Sequence, residues 1–209
     1  KGYAKVFESL TVDKDSESTI TITLMPSTAW DGETKTQPAG AGTASNPYQI
    51  EDGEQLAWLA AAVNDASSVT TTIYAELTDD INLGSNPWTP IGKDFHEFQG
   101  TFNGNGFTVS GLNVTDVENA GLFGVIKDAE IKNLIVRGSV SGTEYAGGIA
   151  GKVKTAVSSF TNCGNEAEVT GEYAAGILGT NMVSSGECRI VNCYNTGKIV
   201  SNGSSSDRA

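Results

Sequence analysis

The second half of the chain repeats itself, and no other feature limits its fold so tightly. Glycine-rich blocks recur at 120–124, 146–151 and 174–179, with paired glycines at Gly121 and Gly124, Gly148 and Gly151, and Gly176 and Gly179. Successive blocks are 27 and 28 residues apart. Behind each block comes a landmark built on asparagine: Ile131–Asn133, Phe160–Cys163 (holding Asn162) and Ile190–Cys193 (holding Asn192). A third landmark closes each unit: Val140–Gly142, Val169–Gly171 and Val200–Gly203. Three landmarks recurring in one order define a repeat protein.

The units hold short runs rich in β-branched residues, such as Ile131–Val136 and Glu168–Thr170, bounded by Gly, Asn or Ser. Such runs read as strands separated by corners. No unit carries a helical period long enough for a helix hairpin, which excludes tetratricopeptide and ankyrin arrays. A propeller blade needs about 40–45 residues, more than these units contain. One coil of a parallel β-helix, with three short strands and three corners, fits the period. Equivalent residues then stack about 4.8 Å apart, with valine over valine inside and asparagine over asparagine at the corners. The glycines are expected where the backbone turns with positive φ. The whole reading requires Asn133, Asn162 and Asn192 to lie one above another.

Upstream, Asp52 followed by Gln55 and an apolar stripe at Leu56, Leu59, Ala60 and Val63 predicts a helix over about 53–65. It would cover the open first rung, as a terminal cap should. Thr71–Leu77 and Asp80–Leu83 read as strands, and residues 98–112 as an early coil. Residues 1–26 hold two alternating strands, Lys5–Leu10 and Ser18–Leu24, too few to stand alone. They are read as the end of a preceding module, with 27–42 as a linker and 43–209 as the solenoid. Asp207–Ala209 falls where Glu144–Ala146 and Glu172–Ala174 stand in earlier units. The solenoid is therefore expected to be truncated at its C-terminal side, leaving an open rung edge.

A net charge of −12, with 13 Lys and Arg scattered singly, argues against nucleic acid and anionic membrane surfaces as partners. The longest apolar run, Leu56–Val63, is far short of a membrane span. Three cysteines confined to the last quarter do not make a disulfide framework.

Several stretches together resemble bacterial surface proteins carrying the GLUG motif: 42–50 (GTASNPYQI), the helix after it, 78–83 (TDDINL), 88–92 (WTPIG), 98–112, the block at 120–124 and 192–197 (NCYNTG). The resemblance covers roughly residues 40–209. It implies an all-β fold, a right-handed parallel β-helix, within a large secreted or wall-attached, adhesin-like protein. Similar repeats occur in the non-catalytic regions of bacterial immunoglobulin A metallopeptidases. Residues 1–26 look like the end of an immunoglobulin-like or carboxypeptidase-regulatory-like module. The resemblance brings no assigned catalytic residue.

Parallel β-helices also host polysaccharide lyases and hydrolases, so converging reactive groups were sought. Asp79 and Asp80, an acidic doublet, would point to opposite faces as neighbours in a strand, unsuited to one substrate unless a bulge intervenes, and read as a strand-start turn. Arg137, Arg189 and Arg208 fall in different rungs at unmatched positions. His96 is the single histidine and lacks the partners of a triad or a zinc site. Asp13–Glu17 lacks the glycine and glutamate of a calcium loop and reads as a hairpin turn. Cys163 and Cys193 occupy equivalent rung positions. They are read as small buried residues of a ladder, with a disulfide as the alternative; Cys188 adds no zinc set. Tyr145 and Tyr173 align one rung apart, where stacked rings could grip sugar faces. No catalytic, cofactor or metal residue is assigned. The expected role is a non-catalytic extracellular module for attachment or spacing, with an extracellular protein or glycan as partner. The alternatives are a carbohydrate-active solenoid, either a glycan-binding module or a polysaccharide lyase or hydrolase, and an ancillary region of an immunoglobulin A metallopeptidase.

Overall fold

The computed structural model describes residues 28–65, 72–154, 157–182 and 186–203. The expected strands in 1–26, the Asp13–Glu17 turn, Arg208 and the end of the chain lie outside them. The fold is the expected one, a parallel β-solenoid with one helix.

One sheet stacks strands six deep: Tyr48–Ile50, Ile73–Leu77, Phe98–Asn103, Phe123–Lys132, Ala150–Lys154 with Ser158–Thr161, and Leu178–Met182 with Cys188–Val191. A second sheet is carried mainly by the long bent strands Thr108–Ala120 and Ile135–Gly147. The pairings run parallel, each strand meeting its counterpart 25–30 residues on. Because side chains alternate across a strand, each rung sends one set inward over the same set below. Ala75, Phe102, Ile131, Phe160 and Ile190 form such a column, and its first four members are buried. Val114, Val140, Val169 and Ile199 form another on the second sheet.

That second column corrects one landmark. Val169 pairs with Ile199, and Val200 pairs with Thr170, so the sequence alignment of Val200 with Val169 is one residue out. The spacing from the cysteine settles the register, since Cys163 to Val169 and Cys193 to Ile199 are equal intervals. A one-residue slip would turn the column toward solvent.

The asparagines stack as required. Asn133, Asn162 and Asn192 have φ of 53, 55 and 53°. Each amide bonds the rung before: Asn133 Nδ2 donates to Asn103 Oδ1 (2.9 Å), Asn162 Nδ2 to Asn133 Oδ1 (3.0 Å) and Asn192 Nδ2 to Asn162 Oδ1 (3.4 Å). The left-handed corners are thus built by asparagine, which tolerates that region. The block glycines serve another purpose: none of the six has positive φ. A Cβ on Gly148 would lie 2.0 Å from Asn165 Oδ1, and one on Gly176 would lie 2.6 Å from the Asn195 side chain. They clear space for a second, internal asparagine pair.

Asn165 continues the inward column Ile81, Val109, Val136 and is fully buried. Its Nδ2 donates to Ala167 O (3.0 Å) and Asn195 Oδ1 (2.7 Å), and its Oδ1 accepts from Ala167 N (3.1 Å). With these partners a buried amide costs little.

Helix α1 spans Gly53–Asn64, close to the expected bounds. Asp52 is its N-cap, accepting from Gln55 N, while Gln55 Oε1 reaches back to Glu51 N. Leu56, Leu59, Ala60 and Val63 are buried in the solenoid core. Asn64 fastens the far end, donating to Pro90 O and accepting from Gly92 N.

Residues 28–42 carry no extended strand, yet they are not a free linker. Trp30 is buried edge-to-face against Trp88 (5.7 Å, 78°). Its N–H bonds Asn82 O, its Nε1 bonds Thr34 O, and Thr36 bonds Glu54 of α1. The Thr, Gly and Pro content reads as a linker because the anchoring side chains, Trp30 above all, carry no periodicity.

Two substitutions separate the two roles of the corner asparagines. Asn162→Ala puts a residue with no local side-chain hydrogen bond in the left-handed region, costing about 1–2 kcal/mol, and also removes the ladder bonds to Asn133 and from Asn192, each of about 1 kcal/mol. Asn162→Gly keeps the conformation and loses mainly the two bonds. Urea unfolding should therefore show the Ala variant about 1–2 kcal/mol below the Gly variant; equal losses would contradict the account.

Candidate functional site

Tyr145 and Tyr173 are Cα partners on adjacent rungs. Their rings stack with centroids 5.5 Å apart and planes 25° off parallel. Each ring therefore gives one face to the other, and both are half-buried. The Tyr145 phenol is pushed up to about 12, first by its hydrogen bond to Glu144 and then by burial. On the side away from Tyr173, Tyr145 is in register with Asn119, and Lys152 Nζ stands 6.0 Å from its centroid. This is the outer limit of a cation–π contact.

Lys152 leads to a cluster that sequence reasoning missed. Its side chain is 11% exposed, and its ammonium bonds Asp94 Oδ2 at 3.3 Å. Lys154, two positions on and outward on the same side, reaches Asp94 Oδ1 (3.2 Å) and Glu97 Oε1 (2.9 Å). Asp94 lies within the turn closed by the backbone bridge between Lys93 and His96, and Glu97 follows it. Burial opposes charge on both carboxyls. The hydrogen bonds from Lys154 and Lys152 to Asp94, and from Lys154 to Glu97, outweigh it and hold both below their ordinary values. Pairing also raises Lys154, chiefly through Glu97.

Between the acidic residues, Phe95 sits at φ 71°, in a region bulky residues rarely take. Its ring is 83% exposed, and Lys154 Nζ lies 4.9 Å from its centroid. The ion pairs thus hold an aromatic side chain out in solvent. Beside the turn lies a cavity of about 410 Å³, lined by Asn64, Thr89, Pro90, Lys93, Val117 and Asn119 among others. Asn119 Oδ1 is buried there without a hydrogen-bond partner.

The remaining candidates are drawn into local structure. Asp80 Oδ1 accepts from Thr108 N on the next rung (2.8 Å), and Asp79 Oδ1 accepts from Asp80 N. Arg137 pairs with Glu166, which also accepts from the Tyr194 hydroxyl; Arg189 pairs with Glu187 on the other sheet. His96 lies in the Lys93 turn. Among the described residues, no three His, Cys, Asp or Glu side chains gather as a metal set. Glu76 and Glu130 do line one groove, with Tyr74, Thr101, Asn103 and Lys132. Their backbones are two rungs and two strand positions apart, about 12 Å at ordinary strand spacings. Each is bonded to a neighbour, Gln49 or Lys132.

Cys163 and Cys193 stand on adjacent rungs as free thiols, as is Cys188. Cys163 takes the inward slot that Leu134 fills one rung earlier, and burial pushes its thiol up to about 12.

No family model matches the chain. It is 33% identical over 115 residues to an Evansella cellulosilytica protein provisionally named a Gly-rich membrane protein, covering 54% of this chain and 13% of that one. It is 32% identical over 151 residues to halomucin of Haloquadratum walsbyi, covering 65% of this chain and 2% of that one. The crystal structure of a Bacteroides ovatus protein, provisionally named an immunoglobulin A1 protease, superposes with a TM-score of 0.53 at 25% identity. That match covers 76% of this chain and 59% of the other. The chain thus spans a small part of its sequence relatives' lengths.

Two outcomes follow from the titrating groups. Carboxyls held low in the folded state stabilise it above their unfolded pKa of about 4, and that contribution is lost as pH falls through the lower folded value. The turn at 93–97 should therefore loosen below about pH 4 while the asparagine ladder persists, seen as exchange broadening of the Phe95 amide before that of Asn162. At pH 8 iodoacetamide should spare Cys163 in the folded protein and label it only after unfolding.

Proposed function

We propose that this chain is a non-catalytic β-solenoid module of a secreted or cell-surface protein, serving attachment or holding neighbouring parts at a fixed distance. The observation that carries the reading is the parallel rung-on-rung stacking of the described strands from Tyr48 to Ser201, closed at one end by α1. Six stacked strands make a stiff stack roughly 24 Å long. Each rung depends on its neighbours for burial, a construction suited to spacing. The names of the sequence relatives, a Gly-rich membrane protein and halomucin, support a surface setting, as does the resemblance to GLUG-motif surface proteins. The net charge of −12 favours solubility outside the cell. The pairing of Asp80, Arg137 and Glu130 into local contacts supports the non-catalytic part.

The reading has two tests. Antibodies against this chain should label intact producing cells or their medium; label reached only after lysis would overturn the surface setting. Incubation with a polysaccharide panel and with immunoglobulin A should leave both intact, and turnover of either would overturn the non-catalytic assignment.

A further inference from the structure

We propose that the cavity beside the Lys93–His96 turn is a binding site for one pyranose unit of a neutral glycan. This deepens the attachment reading above by naming its ligand class, and its test leaves the spacing role standing if it fails.

The volume, about 410 Å³, suits one small ring. Pro90 and Val117 supply apolar wall, while Asn64 is already committed at both ends of its amide to Pro90 O and Gly92 N. One polar group of the lining is an acceptor that no donor meets. Asn119 Oδ1 has no donor, and its amide nitrogen donates to Glu118 Oε1 over a long 3.4 Å. The terminal torsion of asparagine is soft, so a modest turn of this amide presents the oxygen to the cavity. A buried acceptor without a donor costs free energy that a ligand hydroxyl recovers.

Charge selects the ligand further. Around the cavity and its turn, Lys93, Lys152 and Lys154 balance Asp94, Glu97 and Glu118. Two of those carboxylates and two of those ammoniums are spent on one another, so the site offers no net field for an ion. A molecule with hydroxyl donors on its rim and a C–H face fits these walls; a pyranose has both. The neighbouring rings then acquire a use. Tyr145 is in register with Asn119, and Phe95 is held exposed two residues from Lys93. Both stand where adjoining sugar units of a longer glycan would pass.

The test is a ¹H–¹⁵N titration of the chain with glucose, galactose, mannose, N-acetylglucosamine and their disaccharides, with glucuronate as the charged control. At least one neutral sugar should give saturable shifts at Lys93, Val117 and the Asn119 side-chain amide. Asn119→Leu should weaken that binding at least about tenfold, the loss of one buried hydrogen bond. Thr89→Trp, at an exposed position on the rim, should block the cavity and abolish binding with the fold intact, which guards against a misfolded Asn119 variant. Shifts for none of the neutral sugars, shifts that survive Thr89→Trp, or a response to glucuronate alone would each overturn the proposal.

Discussion

Register is the constraint on which this solenoid rests. A strand displaced by one residue shows its apolar set to water, and parallel ladders of short strands have little else to hold them. Here the lock lies at one corner. Asn133, Asn162 and Asn192 adopt the left-handed conformation that turns the chain, and the same side chains reach to the rung before. Turning and aligning are done by one residue, so a rung cannot take its corner without also taking its place. Asn165 and Asn195 add a second amide bond between rungs, without the left-handed turn, in a column that is aliphatic in earlier rungs.

Much of the fold was legible because stacking converts spatial neighbours into a sequence period. The asparagine column, the valine column and the Cys163–Cys193 adjacency all follow from steps of 26–30 residues. Helix α1 was legible through its cap and apolar stripe. Legibility failed where a residue's reason lay in one particular neighbour. The slip at Val200 came from matching residue type instead of counting from the cysteine. The block glycines suggested positive φ, yet Gly148 and Gly176 exist because the Asn165 and Asn195 side chains lie against them. The repeated Cys-x-Asn of 163–165 and 193–195 was a visible signal for that internal pair.

The candidate site was legible only in part. The alignment of Tyr145 with Tyr173 is real, but the rings face each other, which the period could not reveal. The turn at 93–97 gave no local signal, since its partners are 57–60 residues away. Extending the repeat upstream would have found it: Ile91 stacks on Phe123 and Phe123 on Ala150, which brings Asp94 near the strand of Lys152 and Lys154. Phe95 stood out in neither composition nor pattern; only its exposure and backbone conformation in the folded chain mark it.

The ion pairs from that turn also change how the solenoid can evolve. Repeat proteins ordinarily gain and lose whole units, because each touches only its neighbours. Asp94 and Glu97 instead clasp lysines two coils away, across the strand Phe123–Lys132. Removing or duplicating the intervening coil would pull the clasp apart and strand Lys152 in its largely enclosed position. This stretch is therefore inherited as one block, while coils beyond it remain free to multiply.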